Sequence, residues 1–382
     1  MKRDLPQGFS RAVPIGEGAF GAVFRARQDD LGRWVALKEI RRGDKSAREE
    51  AQALASAPLA CLPTVFGLVA GRRSDWISME YIHGVSLRDL MNHGLEPRES
   101  AAICAALARS VAILHAAGRS HGDIKPENAI FQPDGRIRLV DLGFSASASG
   151  VALQGGTAGY LAPEIGSAGC DPRRADVWSI GVVLHELLAG ARPSPGERGA
   201  GWKRLALEAP DWIPLVDLLL REEPSRRPSS MDPVLGDVPD VPGSGAAFLE
   251  RVRELADRSL ASRMVQEAGR LLDERSPSAA LVLLQQALEL DPDQSAALAM
   301  LPRVRLGAKA PSRSRRIVFA LAIVLVAVAV AASLLHRPRA ARGTRPVPAE
   351  VVETKERLRP DRNRQERRPG TAPLREGKGD SR

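Results

Sequence analysis

Cysteine is scarce in this chain: three residues in 382, at Cys61, Cys104 and Cys170. So few, so far apart, they exclude a disulfide framework and the paired spacing of a zinc site, and they fit a reducing compartment. Charge is absent from residues 317–335, a run of nineteen whose one polar side chain is Ser333. Acid is absent from residues 303–316, which carry six Arg or Lys. Residues 336–382 add fourteen basic side chains against seven acidic ones, so residues 1–302 sum to −4 although the whole chain stands at +9. The basic character belongs to the C-terminal stretches, and nothing in the larger part points to nucleic acid. A length of 382 allows one or two domains and a tail.

What is present concentrates first in one short stretch, His121-Gly122-Asp123-Ile124-Lys125-Pro126-Glu127-Asn128. It sets an Asp, a Lys two residues later and an Asn five residues later. The carboxylate can accept the proton of an attacking hydroxyl, the ammonium can steady a transferring phosphate, and the amide can hold a second Mg²⁺. The stretch resembles the catalytic loop of a protein kinase, with Gly122 where most kinases carry Arg.

The other motifs of that family occur in order around it. Gly16-Glu17-Gly18-Ala19-Phe20-Gly21-Ala22-Val23 fits G-x-G-x-x-G-x-V, and glycines let backbone approach phosphates closely. A dinucleotide site would continue into a helix; here the sequel reads as strand, turn at Asp29-Asp30-Leu31-Gly32, and strand. Val35-Ala36-Leu37-Lys38 matches V-A-I-K. The resemblance implies that Ile15, Val23 and Ala36 enclose an adenine. It also implies that Gly16, Gly18, Gly21 and Lys38 hold phosphates, and that a Glu on the next helix positions Lys38. We take that Glu as Glu50, with Glu49 the alternative; the twelve-residue gap from Lys38 is short for the family. A strand at residues 76–79 breaks at Glu80, and the resemblance implies that Met79 is the gatekeeper and that the backbone of Glu80 to Ile82 meets the adenine edge.

Beyond the hinge, Ile103, Leu107, Val111 and Leu114 recur at helical spacing and should face a core. Two strand-like runs, 128–131 and 137–140, flank the turn Pro133-Asp134-Gly135 and deliver Asp141-Leu142-Gly143. This is a D-F-G variant whose carboxylate suits Mg²⁺. Thr157 to Glu164 resembles the docking segment that ends in A-P-E. Asp176-Val177-Trp178-Ser179-Ile180-Gly181 resembles the helix start that braces the catalytic loop. Arg227 resembles the late Arg that pairs with the A-P-E Glu, here Glu164. Lys125 and Thr157 match the Ser/Thr type. Gly122 removes the usual receptor for an activation-loop phosphate, so we expect activity without one, although Ser145, Ser147 and Ser149 lie in that loop.

Residues 233–245 read as a linker and 246–306 as helical. Residues 279–293 resemble the second helix and exit of a tetratricopeptide repeat, with a new helix from Ser295. A small partner-binding module and a plain spacer hairpin both fit. Basic residues 307–316 precede the apolar run, which at about 1.5 Å per residue spans roughly 28 Å and suits one transmembrane helix. Residues 336–382 read as a disordered basic tail.

The expected fold is therefore α+β: a bilobal protein kinase domain over residues 1–232, then a small all-α, tetratricopeptide-like segment, a membrane helix at 317–335 and the tail. The chain resembles bacterial eukaryotic-like Ser/Thr protein kinases. The resemblance implies ATP and Mg²⁺ as cofactors, with Asn128 and Asp141 holding the metal and Asp123, Lys125, Lys38 and Glu50 doing the catalytic work. It also implies protein substrates, an inner-membrane location with the kinase cytoplasmic, and no nucleic acid. A membrane-anchored pseudokinase scaffold is the alternative, and a kinase for small metabolites a third reading.

Overall fold

The computed structural model describes residues 5–18, 21–141, 157, 159–167, 169–193, 199–239 and 245–307. The expected membrane span, the tail, Leu142, Gly143 and the loop serines lie outside these residues, as does the side chain of Glu50.

Alternating apolar residues build the N-terminal sheet. β1 (Phe9–Gly18), β2 (Gly21–Gln28), β3 (Arg33–Ile40), α1 (Lys45–Ser56), β4 (Val65–Ala70) and β5 (Asp75–Glu80) follow in sequence, and the sheet order is β1-β2-β3-β5-β4 with antiparallel pairing. Phe24, Ala26, Val35, Leu37 and Trp76 form one buried face. Asp30-Leu31-Gly32 is the β2–β3 turn, with Gly32 at φ 62° and the Leu31 N–H held by the Asp30 carboxylate at 2.9 Å. The short gap after Lys38 has a local cause. The chain turns at Gly43 (φ 77°), Asp44 caps α1 through the Ala47 N–H, and the Asp75 carboxylate takes both the Gly43 N–H (3.0 Å) and Arg48 (2.6 Å).

After the hinge come β6 (Val85–Ser86), α2 (Leu87–Asn92) and α3 (Pro97–Ala116), then β7 (Ala129–Phe131) and β8 (Ile137–Leu139), which form a three-stranded sheet with β6. Ile103, Leu107, Val111 and Leu114 on α3 are all 0% exposed. Each such burial contributes about 1.5–3 kcal/mol. Among the described residues α3 is the one helix long and apolar enough to cross a membrane, but 83% of that window is buried inside the protein. It is the central helix of the C-terminal lobe.

α4 (Pro172–Ala189) packs on α3. It is capped by Asp171 and ends at Gly190, whose φ of 72° suits a residue without Cβ. α5 (Ala200–Glu208) and α6 (Ile213–Leu219) lie against α4. Residues Asp232–Asp237 form a 3-10 turn against α3, with Val234 in the core, so the first part of the segment read as linker is packed structure. α7 (Ala246–Asp273), α8 (Pro277–Leu290) and α9 (Ser295–Gly307) follow, with α8 and the start of α9 where the repeat-like pattern places them. α7 is 28 residues long and packs against β1 as well as α8.

Candidate active site

Four antiparallel strands bring the upper half of the site together. Val23 on β2 lies opposite Lys38 on β3, and Ala36 on β3 lies opposite Met79 on β5. Ile15 and Gly16 run along β1, and Gly18 pairs with Gly21 where the loop closes. Gly21 has φ 129°, and a Cβ there would sit 2.2 Å from the Glu39 carbonyl oxygen. That fixes the loop on β3, which supports the register that carries Lys38. We expect Gly21→Ala to introduce about 1–3 kcal/mol of strain and to weaken binding of a fluorescent ATP analogue about tenfold. Wild-type affinity in that titration would show that this close approach does not shape the site.

The Glu80 N–H is already bonded to the Thr64 carbonyl at 2.8 Å. Of the hinge backbone from Glu80 to Ile82, that N–H is therefore already engaged. Gly84 closes the hinge onto the lower lobe, since a Cβ there would meet the Phe131 carbonyl oxygen at 2.5 Å. Glu49 is exposed, while Glu50 sits on α1 with its side chain outside the described residues.

The lower half hangs from Asp176, which is 1% exposed. Its carboxylate accepts the His121 N–H at 2.6 Å, the Gly122 N–H at 2.8 Å and His115 Nε2 at 3.1 Å. His115 Nδ1 accepts from the Met231 N–H at 3.0 Å, which leaves Nε2 as the protonated nitrogen. His121 is fully buried and works the same way. The Asp123 N–H reaches its Nδ1 at 3.3 Å, so Nε2 donates to the Val140 carbonyl at 3.2 Å. Burial pulls its pKa below the ordinary value, against the opposing pull of Asp176 and Asp123, which favours the neutral ring. His121 thus ties the catalytic loop to the strand end that carries Asp141. Gly122 has φ 81°, a steric reason for glycine that is separate from any loss of a phosphate receptor.

Around Asp123 the side chains converge. Lys125 Nζ donates to Asp123 Oδ2 at 2.7 Å and to Thr157 Oγ1 at 2.7 Å. Asn128 Nδ2 donates to Asp123 Oδ2 and to its backbone carbonyl, both at 2.9 Å. The Thr157 N–H reaches Asp123 Oδ1 at 3.2 Å. Lys38 Nζ meets Asp141 Oδ1 at 2.9 Å across the two lobes. Asp141 holds φ 51°, an uncommon conformation for a residue with a side chain.

These residues fit a shared metal. Among the described residues no group of three or more His, Cys, Asp or Glu could hold an ion alone. Mg²⁺ commonly takes only one or two protein oxygens and completes its shell with phosphate and water. Asp141 offers a carboxylate that is 44% exposed, and Asn128 spends its N–H₂ on Asp123, which leaves its oxygen as the ligand atom.

Two features had no signal in the sequence. Arg88 at the start of α2 donates to Glu127 (2.8 Å), Glu186 (3.1 Å) and Tyr160, joining the catalytic loop to α4 and the docking segment. Glu186 and burial raise the Tyr160 pKa, burial being the larger cause, so the hydroxyl stays a donor to Glu186. These partners lie up to 98 residues apart and belong to no short pattern. The expected Glu164–Arg227 pair is present at 2.7 and 2.8 Å.

The family model described as Protein kinase domain matches residues 9–296. Serine/threonine-protein kinase PknL of Mycobacterium tuberculosis is 33% identical over 222 residues, covering 53% of this chain and 55% of that protein. Probable serine/threonine-protein kinase pknA2 of Bifidobacterium longum is 33% identical over 196 residues, 47% of this chain and 26% of that protein. Serine/threonine-protein kinase PrkC of Bacillus subtilis is 30% identical over 223 residues, 53% of this chain and 34% of that protein. The similarity thus spans from about a quarter to just over half of these relatives' length.

Proposed function

The chain belongs to the protein kinase family, and on that premise we propose that it transfers the γ-phosphate of Mg-ATP to serine and threonine hydroxyls of proteins. The observation that carries this reading is the convergence of Lys125, Asn128 and Thr157 on the Asp123 carboxylate. Asp123 orients the substrate hydroxyl and takes its proton. Lys125, held between Asp123 and Thr157, stabilises the transferring phosphate. Lys38 and the Gly16–Gly21 backbone position the nucleotide, with Glu50 as the partner of Lys38. Mg²⁺ on Asn128 and Asp141 supplies charge neutralisation on the phosphates. Most of the rate then comes from positioning and electrostatics.

Three further parts of the reading rest on sequence. The apolar run at 317–335 anchors the chain in the inner membrane with the kinase on the ATP-bearing cytoplasmic side. The repeat-like pattern of α8 and α9 supports a tetratricopeptide-like helical segment. Gly122 supports activity without a loop phosphate.

The test is phosphate transfer from labelled ATP by the full chain in lipid vesicles with Mg²⁺. We expect label on serine and threonine of a protein substrate, none on tyrosine, and an unchanged rate after phosphatase treatment. The protein should leave the membrane fraction with detergent and not with salt. Nucleotide binding without any transfer would favour a scaffold instead.

A further inference from the structure

α7 touches both lobes. Near its start, Phe248, Val252 and Ala256 belong to the core of the C-terminal lobe, and the Phe248 ring lies 5.5 Å from that of Phe131 on β7. Arg251 donates to Glu99 on α3 at 2.7 Å. One turn further, Asp257 meets His83 of the hinge at 3.3 Å. Beyond that, Leu260, Ala261, Met264, Val265 and Ala268 share a buried cluster with Val13 of β1, and Tyr81 of the hinge packs on it. From Phe248 to Ala268 a helix runs about 30 Å. Its far part is backed by Ala280, Leu283, Leu284 and Ala287 of α8.

The site itself is divided between the lobes. Lys38 belongs to the upper sheet, and Asp123, Asn128 and Asp141 belong to the lower lobe. At the start of the hinge, the Glu80 carboxylate accepts from Arg138 on the lower lobe at 2.6 Å and from the Thr64 N–H at 3.1 Å, so α7 acts beside one existing tie between the lobes. Tyr81 is tied upward, since the Arg25 guanidinium lies 3.4 Å from the Trp34 ring and 5.3 Å from the Tyr81 ring. A rigid helix clamped to the lower core, to the hinge and to β1 removes the freedom of one lobe to swing on the other.

We propose that α7 is an interlobe strap that sets the opening of the nucleotide cleft, so that residues 246–290 are a working part of the phosphate-transfer unit and not a spacer. This rests on the kinase reading for its activity readout but not for its distance readout. Loss of the strap lets the cleft sample open states. If the competent fraction falls to about one tenth, the apparent dissociation constant for ATP rises about tenfold.

The experiment uses the full chain with spin labels at exposed Arg73 on the upper lobe and Arg221 on the lower. Ala261, 0% exposed within the β1 cluster, is changed to Arg. Asp257→Arg is the milder variant at a half-exposed surface pair, and Asp257→Arg with His83→Glu restores opposite charges by exchange. We expect both single variants to broaden the interlobe distance distribution and to raise KM for ATP with a smaller change in kcat. The exchange should recover both readouts. If Ala261→Arg does not fold, Asp257→Arg and its rescue decide the matter. Folded variants with wild-type distances overturn the strap whether or not the wild type transfers phosphate. A wild type without transfer speaks against the kinase reading and leaves the distances to be judged alone.

Discussion

Asp123→Asn should end phosphate transfer while leaving nucleotide binding and the fold close to wild type. Asp123 is surrounded by donors: Lys125 Nζ, Asn128 Nδ2 and the Thr157 N–H all point at its two oxygens. A carboxylate accepts from all three at once. An amide has one acceptor and one donor end, so its N–H₂ must face either Lys125 and Asn128 or Thr157. The substituted side chain can no longer take a proton from an attacking hydroxyl. Loss of general base catalysis alone is worth about 10²–10⁴ in rate, and the misplacement of Lys125 and Thr157 adds to it. Stability should fall by only about 1–3 kcal/mol, because Lys125 keeps its bond to Thr157 and the site is open to water. The check is kcat and KM for ATP beside a thermal melt. A variant within tenfold of wild-type turnover, with a normal melt, would remove Asp123 from the role of base.

Much of this site was legible because its parts are local in sequence. Asp123, Lys125 and Asn128 fall within six residues, and a 3-10 turn at Pro126–Asn128 brings them together, while Asp176 and Thr157 hold the loop from a distance. The face of α3 was equally readable, since helical spacing alone selects Ile103, Leu107, Val111 and Leu114. What was not legible is what each face meets. The apolar stripe of α7 predicts a helix, but its sequence does not say that one end lies on Phe131 and the other on Val13. The pattern at 233–245 has the Pro and Gly of a linker, yet Val234 is buried, because a 3-10 turn tolerates Pro233 and still presents one apolar side chain. Gly122 shows the same limit in another way. Its residue type suggested regulation, while its φ of 81° and its N–H bond to Asp176 give a conformational reason for glycine. Glu50 could not be chosen from spacing alone; Glu49 is exposed, and the Glu50 side chain lies outside the described residues.

Arg227→Met should be the most destabilising single change in the lower lobe. The Arg227 side chain is 0% exposed and is enclosed by acceptors. Nη1 and Nη2 meet the two Glu164 oxygens at 2.7 and 2.8 Å, and Nε donates to the Arg221 carbonyl at 2.6 Å. Nη1 also reaches the Arg174 carbonyl at 3.1 Å, and Nη2 the Glu222 carbonyl at 2.9 Å. Trp178 lies 4.9 Å from the guanidinium. Removing the cation strands a nearly buried carboxylate and takes one donor from each of three carbonyls, a loss of about 3–5 kcal/mol from a total that is commonly 5–15 kcal/mol. Glu164→Met should cost less, because Arg227 would keep its three carbonyl partners. Changing both to Met should cost less than the two single losses combined, since neither charge is then stranded. Urea unfolding of the four proteins measures all three statements. A loss under about 1 kcal/mol for Arg227→Met would mean that water reaches Glu164 and that the pair is not a buried one. The consequence for activity follows from chain position. Glu164 closes the segment that begins at Thr157, so the Arg227 variant should also lower kcat at temperatures where it remains folded, with KM for ATP nearly unchanged.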